Sequence, residues 1–261
     1  MSSCIFTNDG DTTVALIDHP FSQTFASRNH HEVLFRQMHT YLMDTGVIKN
    51  NIIDLGAWIG DNTIPWAKRS GSVASLSVAS LSVVYAIDPS KENCEFIQQM
   101  CDHNQLTNVK IFQTAVSNTM ELLSTNDDMY HCTFVQGSEG RNKVNAITLD
   151  HLFNTGEIEH IGYIHLDVEG MEYKVILGAE QIIDTCRPII TFEQHLETDN
   201  YNLILEHLTN KNYVVYLIDE VLPGCRPDCR NSIAFPKETF EPNIVNNIHE
   251  YLKKEILLPF F

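Results

Sequence analysis

Cations are scarce in this chain: 17 lysines and arginines face 34 aspartates and glutamates, for a formal net charge of −17. A polyphosphate partner would have to approach a repelling field, and no basic cluster longer than the pairs Lys68-Arg69 and Lys253-Lys254 offsets it, so nucleic acid is not expected as a partner. Long apolar runs are also missing, so no membrane span is expected. The N-terminus MSSCIFTNDGDTTV lacks a basic stretch followed by an apolar one, so no secretory signal is expected and the reading is a soluble, cytoplasmic (intracellular) chain. There is no disulfide framework to read: seven cysteines, an odd number, are scattered over 261 residues, which suggests reduced thiols. Only Cys225 and Cys229, in CRPDC, are close in sequence. With no second pair they fall short of the four ligands a zinc site needs, and the expectation is a structural role. The dinucleotide fingerprint G-x-G-x-x-G is absent as well, which argues against a nicotinamide-dependent sugar oxidoreductase.

What is present is ordinary globular composition, 43% hydrophobic and 20% charged, over a length that suits one large domain or a domain with a cap. From residue 50 onward, short β-branched runs alternate with amphipathic stretches, the pattern of a mostly parallel α/β sheet covered on both faces. Seven strands are expected, at 51–55, 83–87, 109–113, 161–166, 187–192, 213–218 and 231–235. The last two are joined by a turn-rich stretch with no helical pattern, so they are expected to form an antiparallel pair at the sheet edge. Helices are expected over 61–69, 90–104, 171–182, 199–211 and 243–255, with another at 31–43. The division expected is a helical cap segment at 1–49, the main domain at 50–236 and a helical extension at 237–261. Residues 73–82, VASLSVASLS, are a perfect five-residue tandem repeat, read as a loop insertion or as an overlong arm of the second strand.

Chemistry concentrates at strand ends. The first strand runs into DLGAWIGDNT (54–63), where Gly56 and Gly60 follow Asp54 in a D-x-G-x-x-x-G arrangement just ahead of a helix. Glycines there let the backbone turn tightly and approach a ligand, the helix N-terminus offers free N–H groups, and the leading acid suits a cationic ligand. An acid that binds ribose hydroxyls is expected about twenty residues later, at the end of the second strand. Asp88 holds that place; from 56 to 88 is 32 positions, and without the ten repeated residues it is 22. The pair of features points to an adenosine-bearing ligand. Further on, IGYIHLDVEG delivers Asp167 and Glu169 to the carboxyl end of a central strand, and RPIITFEQH delivers Glu193 and His195 to that of a neighbour. Such a group can accept a proton, hold a polyol, or bind a divalent cation through oxygen. Glu172 is accounted for as a partner of the helix dipole, and Glu169, next to Gly170, as a tie for the loop.

Taken in order, DLGAWIGDNT, AIDPS, TLDHLF (148–153), IHLDVEGMEYKVILGAE (164–180) and RPIITFEQH (187–195) resemble the FkbM-type S-adenosylmethionine-dependent O-methyltransferases, over roughly residues 50 to 236. The resemblance implies a class I methyltransferase (Rossmann-like) seven-stranded sheet with an antiparallel edge strand, S-adenosyl-L-methionine as cofactor, and methyl transfer to a hydroxyl of a sugar, glycan or sugar-bearing small molecule. It implies cofactor contacts from Asp54, Gly56, Ala57, Gly60, Asn62 and Thr63 at the methionine end, Asp88 and Ser90 at the ribose, Ala115 and Val116 at the adenine, and Asp167. Asp167 is the first choice as base, with Glu193 and His195 as orienting or alternative basic groups. A divalent ion such as Mg²⁺ would be held by Asp167, Glu169 and Glu193, although no spacing demands one. The chain departs from the family at His165, where a lysine is common, and at Trp58, where a small polar residue is frequent; His165 is expected to be a packed histidine. The competing class is a methyltransferase-like fold that binds an adenosine compound or a partner protein without turnover.

Overall fold

The structure is a computed structural model that describes residues 5–8, 12–74, 82–127, 132–135, 142–197, 200–222, 224–241 and 243–259. Residues 75–81 of the tandem repeat lie outside the described residues. The chain opens with a hairpin, β1 (Ile5–Asn8) and β2 (Thr12–Ala15), followed by α1 (Pro20–Ser27), a 3₁₀ turn at Arg28–His30, and α2 (Val33–Asp44). An alternating run comes next: β3 (Asn51–Leu55), α3 (Thr63–Ala74), β4 (Val84–Asp88), α4 (Lys91–His103) and β5 (Val109–Gln113). A short insertion contributes β6 (Ala115–Val116), β7 (Glu121–Asp127), β8 (Cys132–Val135) and β9 (Asn142–Ile147). After it come α5 (Leu149–Asn154), β10 (Ile161–Leu166), α6 (Glu172–Leu177), α7 (Glu180–Cys186), β11 (Ile189–His195), α8 (Tyr201–Asn210), β12 (Tyr213–Ile218), β13 (Cys229–Pro236), α9 (Ile244–Leu252) and β14 (Leu257–Pro259).

The main sheet has the order β14-β12-β13-β11-β10-β3-β4-β5. Strands β11, β10, β3, β4 and β5 are parallel, and β13 runs antiparallel between β11 and β12. All seven expected strands are therefore present, with one correction to their arrangement. The β12–β13 hairpin folds inward, so β13 is interior and the antiparallel edge is β14, an eighth strand from the C-terminal segment. Burial explains the choice: seven of the eight residues of β13 are buried, including Asn231 and Ser232, whereas β12 alternates. The second sheet, β6-β9-β7-β8, was not expected, because the polar segment that forms it carries neither a helical nor a clean strand period.

Two local features tie sequence to packing. Helix α4 starts where Ser90 Oγ accepts a hydrogen bond from Asn93 N at 3.3 Å, and it buries Cys94, Phe96, Ile97, Met100 and Cys101 on one face. The single helix expected at 171–182 is two helices, α6 and α7, broken at Gly178. A Cβ at Gly178 would stand 2.2 Å from the Ser117 carbonyl oxygen, so the break is where the main chain lies directly against the segment after β6.

The core lies on both faces of the sheet. One layer joins β3, β10 and β11 to α5, α6, α7 and α8 through Leu166, Val175, Ile182, Phe192 and Ile204. The other joins the sheet to α2, α3 and α9 through Phe35, Met38, Trp66, Tyr163 and Ile248, with Trp66 stacked on His39 at 4.1 Å between ring centres. This second layer draws on the N-terminal, central and C-terminal segments alike. Among the described residues no helix is long and apolar enough to cross a membrane.

Candidate active site

The strand order diverges at β3 and β10: from β3 the chain proceeds outward to β4 and β5, and from β10 to β11. In open α/β sheets that divergence opens a crevice at the carboxyl ends of the strands. A cavity of about 340 Å³ lies here, within the roughly 300–1,000 Å³ typical of small-molecule sites. Its lining comes from the turn after β3 (Gly56, Trp58), the end of β4 (Ile87, Asp88, Pro89), the segment 114–116, the turn after β10 (Asp167, Val168, Glu169), Glu193 of β11, and Leu222, Gly224 and Cys225 between β12 and β13.

The two central turns are locked together. Asp167 N donates to Leu55 O at 3.0 Å, and Gly56, at φ 75°, passes so close that a Cβ there would stand 1.7 Å from the Asp167 carbonyl oxygen. Only glycine fits that crossing. Beneath it Asp54, 1% exposed, accepts a hydrogen bond from Thr63 Oγ1 and pairs with His165 Nδ1 at 3.0 Å. Burial works against a charged ring at His165, but the hydrogen bond and charge of Asp54, helped by Glu32 and Glu193, overcome it and raise the His165 pKa. His165 is packed, as expected, with its ring 5.3 Å from that of Phe35.

Asp88, 6% exposed, accepts from Trp58 N at 2.9 Å, Ser90 N at 2.8 Å and Asn93 Nδ2 at 3.0 Å. Burial nonetheless pushes its pKa up to about 6, those bonds opposing and the Asp54 charge assisting. Asp167 is raised well above the usual carboxylate range, first by burial and then by the charges of Glu193, Glu32, Glu169 and Glu172. Glu193 is raised by burial and the Glu32 charge, against a hydrogen bond from Cys229 Sγ at 2.9 Å.

Of the expected cofactor residues, Gly56, Asp88, Ala115, Val116 and Asp167 line the cavity. Asp54, Ala57, Gly60, Asn62, Thr63 and Ser90 are not among the residues that line it, and they belong to the end of β3, the start of α3 and the turns after β3 and β4 that border it. Asp54 is spent on Thr63 and His165, and Ser90 on capping α4 and bonding Asp88. Of the expected catalytic residues, Asp167 and Glu193 face the cavity and His195 does not line it. Asp167 and Glu169 do not join Glu193 as a metal-ligand set; among the described residues, the group whose ligand atoms all lie within 4.8 Å of one another is Glu193, His195, Cys225 and Cys229. Glu172 ties the loop, accepting from Val168 N at 2.9 Å, Gly170 N at 3.3 Å and Gln194 Nε2 at 2.7 Å. Glu169 is exposed, at φ 52°.

The N-terminal segment supplies residues that the sequence reading missed. Arg28, His31 and Glu32 line the cavity. Arg28 Nε donates to Asp61 Oδ2 at 2.9 Å, and Arg36 Nη2 donates to the same oxygen at 2.6 Å. Glu32 Oε1 accepts from Asn231 Nδ2 at 2.8 Å, and its Oε2 accepts from Arg28 Nη2 at 3.2 Å. The guanidinium of Arg28 also lies 5.5 Å from the centre of the Trp58 ring. The only signal in the sequence was the polar run RNHHE at 28–32 just ahead of a helix, which a solvated surface would also produce.

Comparison with known families settles the kinship. The family model described as the Methyltransferase FkbM domain matches residues 54–215, most of the chain. The chain belongs to the FkbM methyltransferase family. Among solved structures, it is similar to a methyltransferase FkbM from Methylobacillus flagellatus KT, at 16% identity and a TM-score of 0.50, covering 72% of this chain and 43% of that one. It thus spans less than half of that structure, and the likeness speaks to the fold. Cofactor-bound Rv0187 from MTB (10% identity, TM-score 0.48, 78% and 80% covered) and a METTL16 MTase domain (14%, 0.47, 85% and 73%) are also similar. A comparison with curated proteins yields no match.

FkbM membership implies S-adenosylmethionine, and the cavity suits it. A carboxylate at the end of β4 can accept from ribose hydroxyls, Ala115 and Val116 offer an apolar wall for a base, and the acidic wall of Asp167, Glu169 and Glu193 favours a cation.

Proposed function

We propose that this FkbM-family methyltransferase is an S-adenosylmethionine-dependent O-methyltransferase acting on a hydroxyl of a sugar, glycan or sugar-bearing small molecule. The observation that carries the reading is one cavity with the carboxylate of Asp88, at the end of β4, on one side and Asp167, Glu169 and Glu193 on the other. When bound, S-adenosylmethionine supplies an electrophilic methyl group on a sulfonium that is neutralised on transfer.

This chain's residues contribute binding, orientation and a proton acceptor. Asp88, Ala115 and Val116 hold the nucleoside, and Gly56 and Trp58 present main chain at the turn. The acidic wall attracts the positive charge and hydrogen-bonds acceptor hydroxyls. Asp167 takes the hydroxyl proton as its oxygen accepts the methyl; its raised pKa makes it a stronger base than an ordinary aspartate, and general-base help of this kind contributes roughly 10²–10⁴-fold. Holding the two reactants in line contributes more.

The test is transfer of labelled methyl to a panel of hydroxylated acceptors by the wild type and by Asp167→Asn. The variant is expected to bind cofactor still, more weakly for the lost charge in the wall, and at saturating cofactor to lose roughly 10²–10⁴-fold in turnover. Transfer undiminished in the variant overturns the role of Asp167. Cofactor binding with transfer to no acceptor supports the non-catalytic alternative.

A further inference from the structure

Cys225 and Cys229, a bare C-x3-C in the sequence, meet two further ligand types in space. Strands β11 and β13 pair antiparallel with His195 directly opposite Cys229 and Glu193 opposite Asn231. Residues two apart share a sheet face, so Glu193 and His195 of β11 lie on the same side as Cys229. The turn before β13, fixed by Cys229 N donating to Arg226 O at 3.0 Å and Cys225 N donating to Leu222 O at 3.2 Å, carries Cys225 back onto that face. One ligand atom from each of the four residues lies within 4.8 Å of the others. Cys229 Sγ is 2.9 Å and Cys225 Sγ 3.9 Å from Glu193 Oε1.

We propose that Glu193, His195, Cys225 and Cys229 form a zinc-binding site. Two thiols, an imidazole and a carboxylate are the donor mix zinc takes; ligands about 2.0–2.3 Å from a tetrahedral ion stand roughly 3.3–3.8 Å from one another, between the 2.9 and 3.9 Å separations found here, so modest rotamer adjustment completes the shell. Asp228 Oδ1 stands 3.8 Å from His195 Nδ1, in the place where zinc-bound imidazoles keep a carboxylate partner. Four protein ligands leave no open position, so the ion is structural. It fastens the connection between β12 and β13 to the end of β11. Glu193 and Cys225 line the active-site cavity together with Leu222 and Gly224, so the fastened segment is one of its walls. The set shares Glu193 with the oxygen-only trio of Asp167, Glu169 and Glu193 but adds two thiols and an imidazole, and metal retention does not depend on the methyl-transfer reading.

The full chain, purified under reducing conditions, loaded with Zn²⁺ and freed of excess, is assayed for bound metal by mass spectrometry, and Co²⁺ is then exchanged in. The wild type is expected to retain one equivalent and, with cobalt, to show thiolate charge-transfer bands and the intense visible bands of a tetrahedral site. Cys225→Ser and His195→Ala, both partly exposed positions, are expected to weaken Zn²⁺ binding by more than the ~10–100-fold that loss of a supporting group costs. Cys186→Ser, outside the cluster, is expected to bind as the wild type does. S-adenosylmethionine binding measured on the same samples reports folding and the cofactor site separately. The proposal is overturned if the wild type retains no zinc, if Cys225→Ser retains it undiminished, or if peptide mapping of anaerobically purified protein finds Cys225 and Cys229 joined as a disulfide.

Discussion

Replacing Asp61 by Asn tests whether the N-terminal segment is held to the glycine turn by charge. Asp61 has a side-chain exposure of 7% and meets Arg36, at 3%, across 2.6 Å, and Arg28 across 2.9 Å. Burial alone would raise its pKa; the charges and hydrogen bonds of the two guanidiniums overcome that and hold it at about 2 instead of 3.8. Nearly two pKa units correspond to about 2–3 kcal/mol of stability, and removing one member of a buried ion pair costs about 3–5 kcal/mol. Glu32 remains 3.7 Å from Arg36 and softens the loss, so about 3 kcal/mol at pH 7 is expected. The assay is urea denaturation of wild type, Asp61→Asn, Arg36→Met and the double variant, whose cycle isolates the pair. Between the folded and unfolded pKa values the unfolded chain binds the extra proton. The contribution is therefore complete above about pH 4 and fades as pH falls toward 2. The wild-type advantage should be the same at pH 7 and pH 5. A loss below about 1 kcal/mol at pH 7, or an advantage that grows from pH 5 to 7, refutes the reasoning.

Three further outcomes can be checked. Asp88→Ala should weaken S-adenosylmethionine binding about 10- to 100-fold in calorimetry, since a hydrogen bond to a charged group is worth about 1.5–3 kcal/mol. Wild-type affinity should also decline as pH falls through about 6, where Asp88 takes up a proton, and that step should be absent in Asp88→Asn. Gly56→Ala should lower stability by about 3 kcal/mol or more and abolish cofactor binding, because the new methyl meets the Asp167 carbonyl at 1.7 Å and the residue sits at φ 75°; full binding would show that the two turns can part. Turnover should fall as pH drops through the raised pKa of Asp167, an acid limb lying above that of an ordinary aspartate, and a rate flat down to pH 5 would remove Asp167 as the base.

Sequence alone determined the parallel sheet, because β-branched runs spaced by amphipathic stretches leave little else to fold into, and it marked Gly56, Asp88, Asp167 and Glu193 because they end strands that converge on one edge. Tertiary structure decided the rest. The inward fold of β13 follows from which strand of a hairpin buries more surface, a comparison between elements that no local period contains. Arg28 and Glu32 reach the cavity through Asp61 and Asn231, residues 33 and 199 positions away. Asp54 looked like a ligand carboxylate and is consumed by Thr63 and His165, while Glu172, read as a partner of the helix dipole, is bound to Gln194 and the main chain of the loop. A pair of cysteines four apart gains an imidazole and a carboxylate only when antiparallel pairing sets His195 against Cys229. Spacing along a chain fixes which residues share an element; what a carboxylate or thiol can do depends on the neighbours that elements bring to it, and those are set by packing.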